Sequence, residues 1–213
     1  MQNGVLQGAH KNYSTKDFVM KICVYCSSKE NLSPIHYEIG HKFGHEMAQR
    51  GHSLVYGGYN KGIMQAVAGG VAEQNGEIIA VIPKIFDKPT FTFRQCSKVI
   101  VTATMHERKA TMEREADAFA ILPGGIGTMD EFFELFVLNA LGELSKPMAI
   151  LDVDGCYRLL EQFLNQNAKD GFLSEDQRNL VKFYKEIPDI LEALEKSSLA
   201  PRAEMTNRDI PGK

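Results

Sequence analysis

The sequence lacks the features that mark several large classes of protein. No apolar run approaches the roughly 18 residues of a membrane span, and the first twenty residues lack the continuous apolar stretch of a signal peptide. We therefore expect a cytoplasmic protein that makes no membrane contact. The net charge of −3 provides no bulk positive field for a polyanion, and no RNP, zinc-finger or basic-region motif is present, so we expect no nucleic-acid partner.

Cysteine is also scarce. The chain has four cysteines, at Cys23, Cys26, Cys96 and Cys156. They are too few and too scattered for a disulfide framework in 213 residues. Cys23 and Cys26 form a C-x-x-C pattern, but they lie in an apolar run that reads as a strand, where residues three apart point to opposite faces. We therefore predict neither a metal site nor a redox role for this pair.

The sequence does contain a regular alternation of short apolar runs and longer amphipathic segments, which begins near residue 21. A hydrophobic content of 44% is enough for one sizeable domain. The alternation predicts an α/β fold, with a mainly parallel sheet that helices cover on both faces. The predicted strands are Lys21–Cys26, Ser53–Tyr56, Glu77–Ile82, Lys98–Val101, Ala118–Leu122 and Pro147–Leu151.

The helical patterns complete this prediction. They occur at Pro34–Arg50, Gly62–Gln74, Glu107–Glu115, Met129–Leu141, Tyr157–Ala168, Glu175–Phe183 and Pro188–Lys196. Residues 1–18 and 198–213 show no periodicity, so we expect disordered tails around a single domain over 19–197. His41 and His45 are four apart, but the residue after His41 is lysine, where a zinc-peptidase helix needs glutamate. We assign both histidines to a partly exposed helix face.

Two glycine-rich loops follow predicted strands, and ligands of parallel sheets bind beyond the carboxyl ends of the strands. Glycine in the first loop, residues 57–62 (GGYNKG), serves either a tight turn or a close approach to a ligand. The second loop, residues 122–128 (LPGGIGT), exposes backbone N–H groups before a helix N-terminus, which favours an anion. It matches neither a Walker A loop nor G-x-G-x-x-G. We predict that it binds the phosphate of a mononucleotide.

Charged residues near these loops allow two interpretations each. Thr128 and Glu131 fit a T-x-x-E capping box, in which Glu131 would only bond back to the Thr128 backbone. Alternatively, the Glu131 carboxylate reaches the ribose of a bound nucleotide. Arg108 and Lys109 fit a solvated helix face, with Lys109 paired to Glu113, or else they contact a phosphate or a purine. Spacing alone does not decide between these interpretations.

The order of four motifs resembles one known family. KICVYCSS from Lys21, VYGGYNKGIM from Val55, MHERK from Met105 and LPGGIGTMDE from Leu122 are similar to motifs of the LOG (Lonely Guy) family. Its members are cytokinin riboside 5'-monophosphate phosphoribohydrolases, many once labelled possible lysine decarboxylases. The resemblance spans roughly residues 20–195. It implies a Rossmann-like domain that hydrolyses the N-glycosidic bond of purine nucleoside 5'-monophosphates, without metal or cofactor, to free base and ribose 5-phosphate.

The resemblance also implies roles for individual residues. Arg108 and Glu131 match the catalytic arginine and glutamate of the family, and Lys109 belongs to its substrate-contacting Arg-Lys pair. The other implied substrate-binding residues are Ser27, Ser28, Gly57, Gly58, Gly124, Gly125, Ile126, Gly127 and Thr128. A carboxylate near the ribose suits the chemistry, because cleavage passes through an oxocarbenium-like sugar.

The family resemblance implies a homodimer as well. The helix that follows the second loop is apolar on more than one side, so it can pack against a partner as well as against the sheet. Its large apolar residues are Phe132, Phe133, Phe136, Val137, Leu138 and Leu141.

Departures from the family pattern leave the preferred base open. Family glycines are replaced by larger residues in the stretches 26–29 and 57–65, and Asp130 replaces a glutamate. Thr90 and Val137 occupy positions where relatives have a substrate-contacting Glu and Thr. One alternative function is a nucleotide-binding or cofactor-carrier module without turnover. Lysine decarboxylation is disfavoured, because no lysine lies in a context that connects it to pyridoxal phosphate.

Overall fold

A computed structural model describes residues 18–87, 92–93 and 95–199, in which seven parallel strands form one sheet. The strands are β1 (Lys21–Tyr25), β2 (Ser53–Tyr56), β3 (Ile78–Pro83), β4 (Lys98–Thr102), β5 (Ala118–Ile121), β6 (Met148–Leu151) and β7 (Val181–Tyr184). The helices are α1 (Pro34–Gln49), α2 (Gly62–Glu73), α3 (Met105–Glu115), α4 (Ile126–Ala140), α5 (Arg158–Lys169), α6 (Glu175–Arg178) and α7 (Ile187–Leu199). The predicted α/β fold is confirmed.

The sheet is wound outward from its centre. Its strand order is β4-β3-β2-β1-β5-β6-β7. On one side of β1, Ile22 lies opposite Leu54 of β2, and on the other side Ile22 lies opposite Ala118 of β5. The winding therefore reverses between β1 and β5, and the loops that leave these strands diverge to opposite faces. Such a reversal opens a crevice at the carboxyl edge of the sheet.

Each face of the sheet buries its own apolar cluster. Residues of α1, α2 and α7 cover one face, and residues of α3, α4 and α5 cover the other. Cys26 belongs to the first cluster and Cys23 to the second, so the two thiols lie on opposite faces as predicted. The α1 and α2 helices approach closely at Gly44. A Cβ atom at this position would lie 2.0 Å from the carbonyl oxygen of Val67, so only glycine allows this approach.

The predicted helix over Glu175–Phe183 is wrong in its second half. The helix α6 ends at Arg178, and β7 follows at Val181. Ser174 and Gln177 form a capping box that supports one helical turn. The next residues, VKFY, are β-branched or aromatic at three of four positions and pair along the open edge of β6. Backbone pairing in the sheet therefore overrides the local helical spacing.

Two helices begin earlier than predicted. The α3 helix begins at Met105, because the Thr104 hydroxyl accepts a hydrogen bond from the Glu107 backbone N–H at 3.1 Å. The α4 helix begins at Ile126 rather than Met129. The other predicted elements agree with the structure to within three residues at each end.

Residues 1–17 and 200–213, which make up most of the two predicted tails, lie outside the described residues. His41 and His45 are partly exposed on α1, as predicted, and His41 Nε2 lies 2.9 Å from Glu73 Oε1. Within 18–87, 92–93 and 95–199, no helix combines the length and the apolar character that crossing a bilayer requires.

Candidate active site

A cleft of about 720 Å³ lies at the carboxyl edge of the sheet, where the winding reverses. The loops after β1, β2 and β5 and the first turns of α3 and α4 surround it. The predicted site residues that line it are Ser27, Ser28, Gly57, Gly58, Arg108, Lys109, Gly125, Ile126, Gly127, Thr128 and Glu131. Gly124 is the one predicted site residue outside the lining. Two sequence-distant motifs, MHERK and LPGGIGTMDE, therefore meet at one place.

Arg108 and Glu131 form a buried ion pair at the base of the cleft. Arg108 Nη1 donates to Glu131 Oε1 at 2.9 Å, and Arg108 Nε donates to the carbonyl oxygen of Val81 at 3.1 Å. Both residues are only 6% exposed. The interpretation of Arg108 and Lys109 as a solvated helix face is therefore wrong, because α3 turns this side toward the sheet and α4.

Burial raises the pKa of the Glu131 carboxyl above its ordinary value, and the nearby Arg108 guanidinium opposes this shift. The capping-box interpretation of Glu131 is wrong. The N-cap of α4 is Gly125, so Thr128 is the third residue of the helix and does not precede it. The Glu131 carboxylate consequently points to Arg108 and the cleft.

Lys109 bridges α3 and α4 beside this pair. Its ammonium lies 3.1 Å from Asp130 Oδ2 and also pairs with Glu134. Burial lowers the pKa of Lys109, but the two carboxylates outweigh burial, so the net shift is upward. The predicted alternative partner, Glu113, is not among the ion-pair partners of Lys109 in the described part of the chain. Sequence reasoning missed Glu134, although it lies one helical turn after Asp130.

The N-terminus of α4 opens into the cleft. Its first helical hydrogen bond runs from the Met129 N–H to the Gly125 carbonyl oxygen at 3.0 Å. The preceding N–H groups of Ile126, Gly127 and Thr128 have no acceptor within the helix. A Cβ atom added to Gly125 or Gly127 would meet nothing within 4 Å, so the space beside this backbone is open. An anion fits this position on charge and on access.

The first glycine-rich loop leaves space for the Arg108 guanidinium. A Cβ atom on Gly57 would lie 2.0 Å from Arg108 Nη2, so any larger residue at this position would displace the guanidinium. Gly58 and Gly62 have φ values of +74° and +63°, which other residues rarely adopt. Gly124 has a packing role, because a Cβ atom on it would lie 2.1 Å from the Thr128 hydroxyl oxygen.

The sequence did not identify the other residues that line the cleft. One part of the lining is apolar and comes from residues that look like ordinary core or loop positions. It consists of Met64, Ile82, Pro83, Phe86 and Met105. At the rim, Lys61 Nζ pairs with Glu30 Oε2 at 2.6 Å. Val137 lies outside this lining, and Thr90 lies outside the described residues.

The cleft therefore combines three chemical features within one space. It has open backbone N–H groups for an anion, an apolar wall for a planar or aliphatic group, and a buried carboxylate beside a guanidinium. In the described part of the chain, no group of three or more His, Cys, Asp or Glu side chains is arranged to hold a metal ion. This combination suits a phosphorylated ligand whose reaction develops positive charge near a carboxylate.

Comparison with known proteins gives consistent matches. A family model described as possible lysine decarboxylase matches residues 64–194. The cytokinin riboside 5'-monophosphate phosphoribohydrolase LOG2 of Arabidopsis thaliana is 34% identical over 181 residues, covering 85% of both chains. LOG7 of the same plant is 37% identical over 167 residues, covering 78% of this chain and 77% of that one. LOG of Oryza sativa subsp. japonica is 38% identical over 161 residues, covering 76% of this chain and 66% of that one.

Solved structures agree on the fold. A molybdenum cofactor binding protein from Rippkaea orientalis superimposes with a TM-score of 0.65 at 20% identity, covering 83% of this chain and 96% of that one. The molybdenum cofactor carrier protein of Chlamydomonas reinhardtii gives a TM-score of 0.65 at 20% identity, covering 84% and 96%. At this identity the likeness concerns the fold alone.

Proposed function

The chain belongs to the LOG family, and from this premise we propose that it hydrolyses the N-glycosidic bond of purine nucleoside 5'-monophosphates, including those of cytokinin type. The products are the free base and ribose 5-phosphate. The observation that carries the proposal is the buried Arg108–Glu131 pair next to the open N-terminus of α4 in one cleft.

In the proposed reaction, the substrate phosphate binds the N–H groups of Ile126, Gly127 and Thr128, and the base lies against the apolar wall. The bond between the ribose C1' and the base nitrogen breaks, and its electron pair leaves with the base, which takes up a proton. The oxygen of water bonds to C1' and the water loses a proton. The Glu131 carboxylate stabilises the positive charge that develops on the sugar and orients the water.

Arg108 has two roles in this proposal. It holds the Glu131 carboxylate in place, since its guanidinium is fixed at the other end by the Val81 carbonyl group. Its positive charge also favours the ionised form of Glu131 against the effect of burial. Because the carboxylate is the active form, activity should rise with pH through the raised pKa of Glu131. Lys109 stays a predicted substrate contact.

The family description as a possible lysine decarboxylase suggests chemistry at a reactive lysine. The raised pKa of Lys109 argues against such a role for this residue. A lysine that attacks a carbonyl must lose its proton, and sites for such chemistry lower the lysine pKa. The two carboxylates that enclose Lys109 raise its pKa instead.

The direct test is product analysis after incubation with AMP, GMP, CMP and isopentenyladenosine monophosphate. We expect the wild type to release free base and ribose 5-phosphate from purine nucleotides, and Glu131→Ala to release neither. Release at an equal rate by Glu131→Ala would contradict the proposal. Tight binding of AMP without any cleavage would instead favour the alternative of a binding or carrier module.

We also propose that the protein forms a homodimer through the outer face of α4. Phe133, Val137 and Leu141 recur every fourth residue on this face and are 36%, 50% and 59% exposed, which is an unusual apolar stripe for a free surface. Val137→Asp should halve the mass measured by light scattering at micromolar concentration. Val19→Asp, at another exposed valine, is the matched control. A monomeric wild type would refute the proposal.

A further inference from the structure

We propose that Tyr157 is a positioning residue that fixes the glycine-rich loop in the shape that receives the phosphate, an inference that rests on the proposed function. Tyr157 is buried and does not line the cleft. Its hydroxyl donates a hydrogen bond of 2.7 Å to the carbonyl oxygen of Leu122, the first residue of the loop. The sequence motifs contain no sign of this contact, because 35 residues separate the two partners.

The topology explains how Tyr157 reaches this loop. β5 and β6 are neighbours in the parallel sheet, so the segments that follow them lie side by side at the carboxyl edge. After β6, Asp154 and Gly155 have φ values of +55° and +72°, and these left-handed residues turn the chain before Tyr157. Burial raises the pKa of the Tyr157 phenol, so the group keeps the proton that it donates.

The backbone of Tyr157 is anchored in turn. Its N–H donates to Asp152 Oδ1 at 2.7 Å, and the N–H of Asp152 donates to the carbonyl oxygen of Tyr184 at 2.7 Å. The tyrosine is thus tied to β7 through two short hydrogen bonds. A side chain held in this way transmits the position of the sheet edge to the loop.

The Tyr157 hydroxyl orients the peptide plane between Leu122 and Pro123. The peptide between Leu122 and Pro123 has no N–H, so its carbonyl oxygen is its only hydrogen-bonding group. The next carbonyl, of Pro123, accepts from the Ser27 N–H at 3.1 Å. Because C=O and N–H point in opposite directions across a trans peptide, fixing the Pro123 carbonyl also sets the direction of the Gly124 N–H. Two successive planes therefore orient the entry to the anion site.

A purely structural tyrosine would contribute to stability without affecting phosphate recognition, and this difference gives the test. In Tyr157→Phe, we expect ribose 5-phosphate to bind about tenfold more weakly by calorimetry, which corresponds to about 1.4 kcal/mol. Binding of adenine, which lacks the phosphate, should be unchanged. The matched control is Tyr184→Phe, since the Tyr184 hydroxyl has no hydrogen-bond partner among the described residues and Asp152 contacts the backbone carbonyl of Tyr184, which this substitution retains.

A second measurement works without any ligand. The amide hydrogens of Ser27, Leu122 and Met129 donate to carbonyl groups around the loop, and we expect them to exchange faster in Tyr157→Phe than in Tyr184→Phe. Unchanged exchange at all three positions, or unchanged affinity for ribose 5-phosphate, would overturn the inference. If the wild type fails to bind ribose 5-phosphate while Tyr157→Phe accelerates exchange, the proposed function fails and the anchoring role of Tyr157 stands.

Discussion

Substitution of Gly57 by alanine tests the central geometry of the site without touching a charged group. An alanine Cβ would lie 2.0 Å from Arg108 Nη2, whereas ordinary contacts begin at 3.4 Å. The guanidinium must therefore shift by roughly 1.4 Å, the difference between these distances. Its hydrogen bonds to Val81 and Glu131, now 3.1 and 2.9 Å long, would not survive such a shift. The backbone can accept alanine, because Gly57 has no left-handed φ.

The magnitude follows from the loss of this alignment. Misplacement of a catalytic group by about 1 Å can cost on the order of 100-fold in rate, so kcat of Gly57→Ala should fall by about that factor. Loss of the Arg108 charge from the carboxylate should also raise the pKa of Glu131 further. The acidic limb of the pH profile of kcat should then move to higher pH.

The assay is release of free base from a purine nucleotide, followed across pH. Gly69→Ala is the matched control, because the nearest atom to its new Cβ would be His41 Cδ2 at 3.9 Å. This control should keep full activity and, as a helical position, gain up to about 1 kcal/mol of stability. If Gly57→Ala keeps kcat within twofold of the wild type and an unchanged pH profile, the role assigned to the Arg108–Glu131 pair is refuted.

Two further predictions concern stability. Because burial raises the pKa of Glu131 in the folded state, the stability linked to this carboxyl is fully present at low pH and is lost as pH rises through that pKa. The melting temperature of Glu131→Gln relative to the wild type should therefore rise as pH increases from acid to neutral; the opposite trend would contradict the stated cause of the shift. Gly44→Ala should lower the free energy of unfolding by about 1–3 kcal/mol through overpacking against the Val67 carbonyl group, and denaturant melts that match those of Gly69→Ala would contradict this packing argument.

The sheet and the location of the cleft could be predicted from the sequence because both depend on local signals. Buried parallel strands appear as apolar runs, and glycine-rich turns appear between a strand and a helix. The strand β7 could not be predicted in this way. Its residues acquire strand structure from the open edge of β6, which is a tertiary feature.

The charged residues show a second limit of sequence reasoning. Arg108 and Lys109 look like surface residues, since charged side chains are seldom buried. Their burial depends on carboxylates of α4, and Arg108 and Glu131 are 23 positions apart. The register of T-x-x-E on α4 is likewise undecided locally, because either Gly125 or Thr128 can begin the helix. In the structure, Gly125 begins the helix, and the Glu131 carboxylate pairs with Arg108 across the cleft.

The central position of β1 has a consequence for the order in which the protein can assemble during its synthesis. The ribosome makes β1 first, yet this strand gains its second neighbour only when β5 has been made. Until then the nascent chain can form only the four strands β4-β3-β2-β1, in which β1 is an edge strand with one side unpaired. Arg108 is made before Glu131, so its guanidinium lacks this carboxylate partner until α4 has been made. The Arg108–Glu131 pair and the centre of the sheet thus form only after β5 and α4 have been made, and a chain that stalls before α4 holds part of the cleft without its carboxylate.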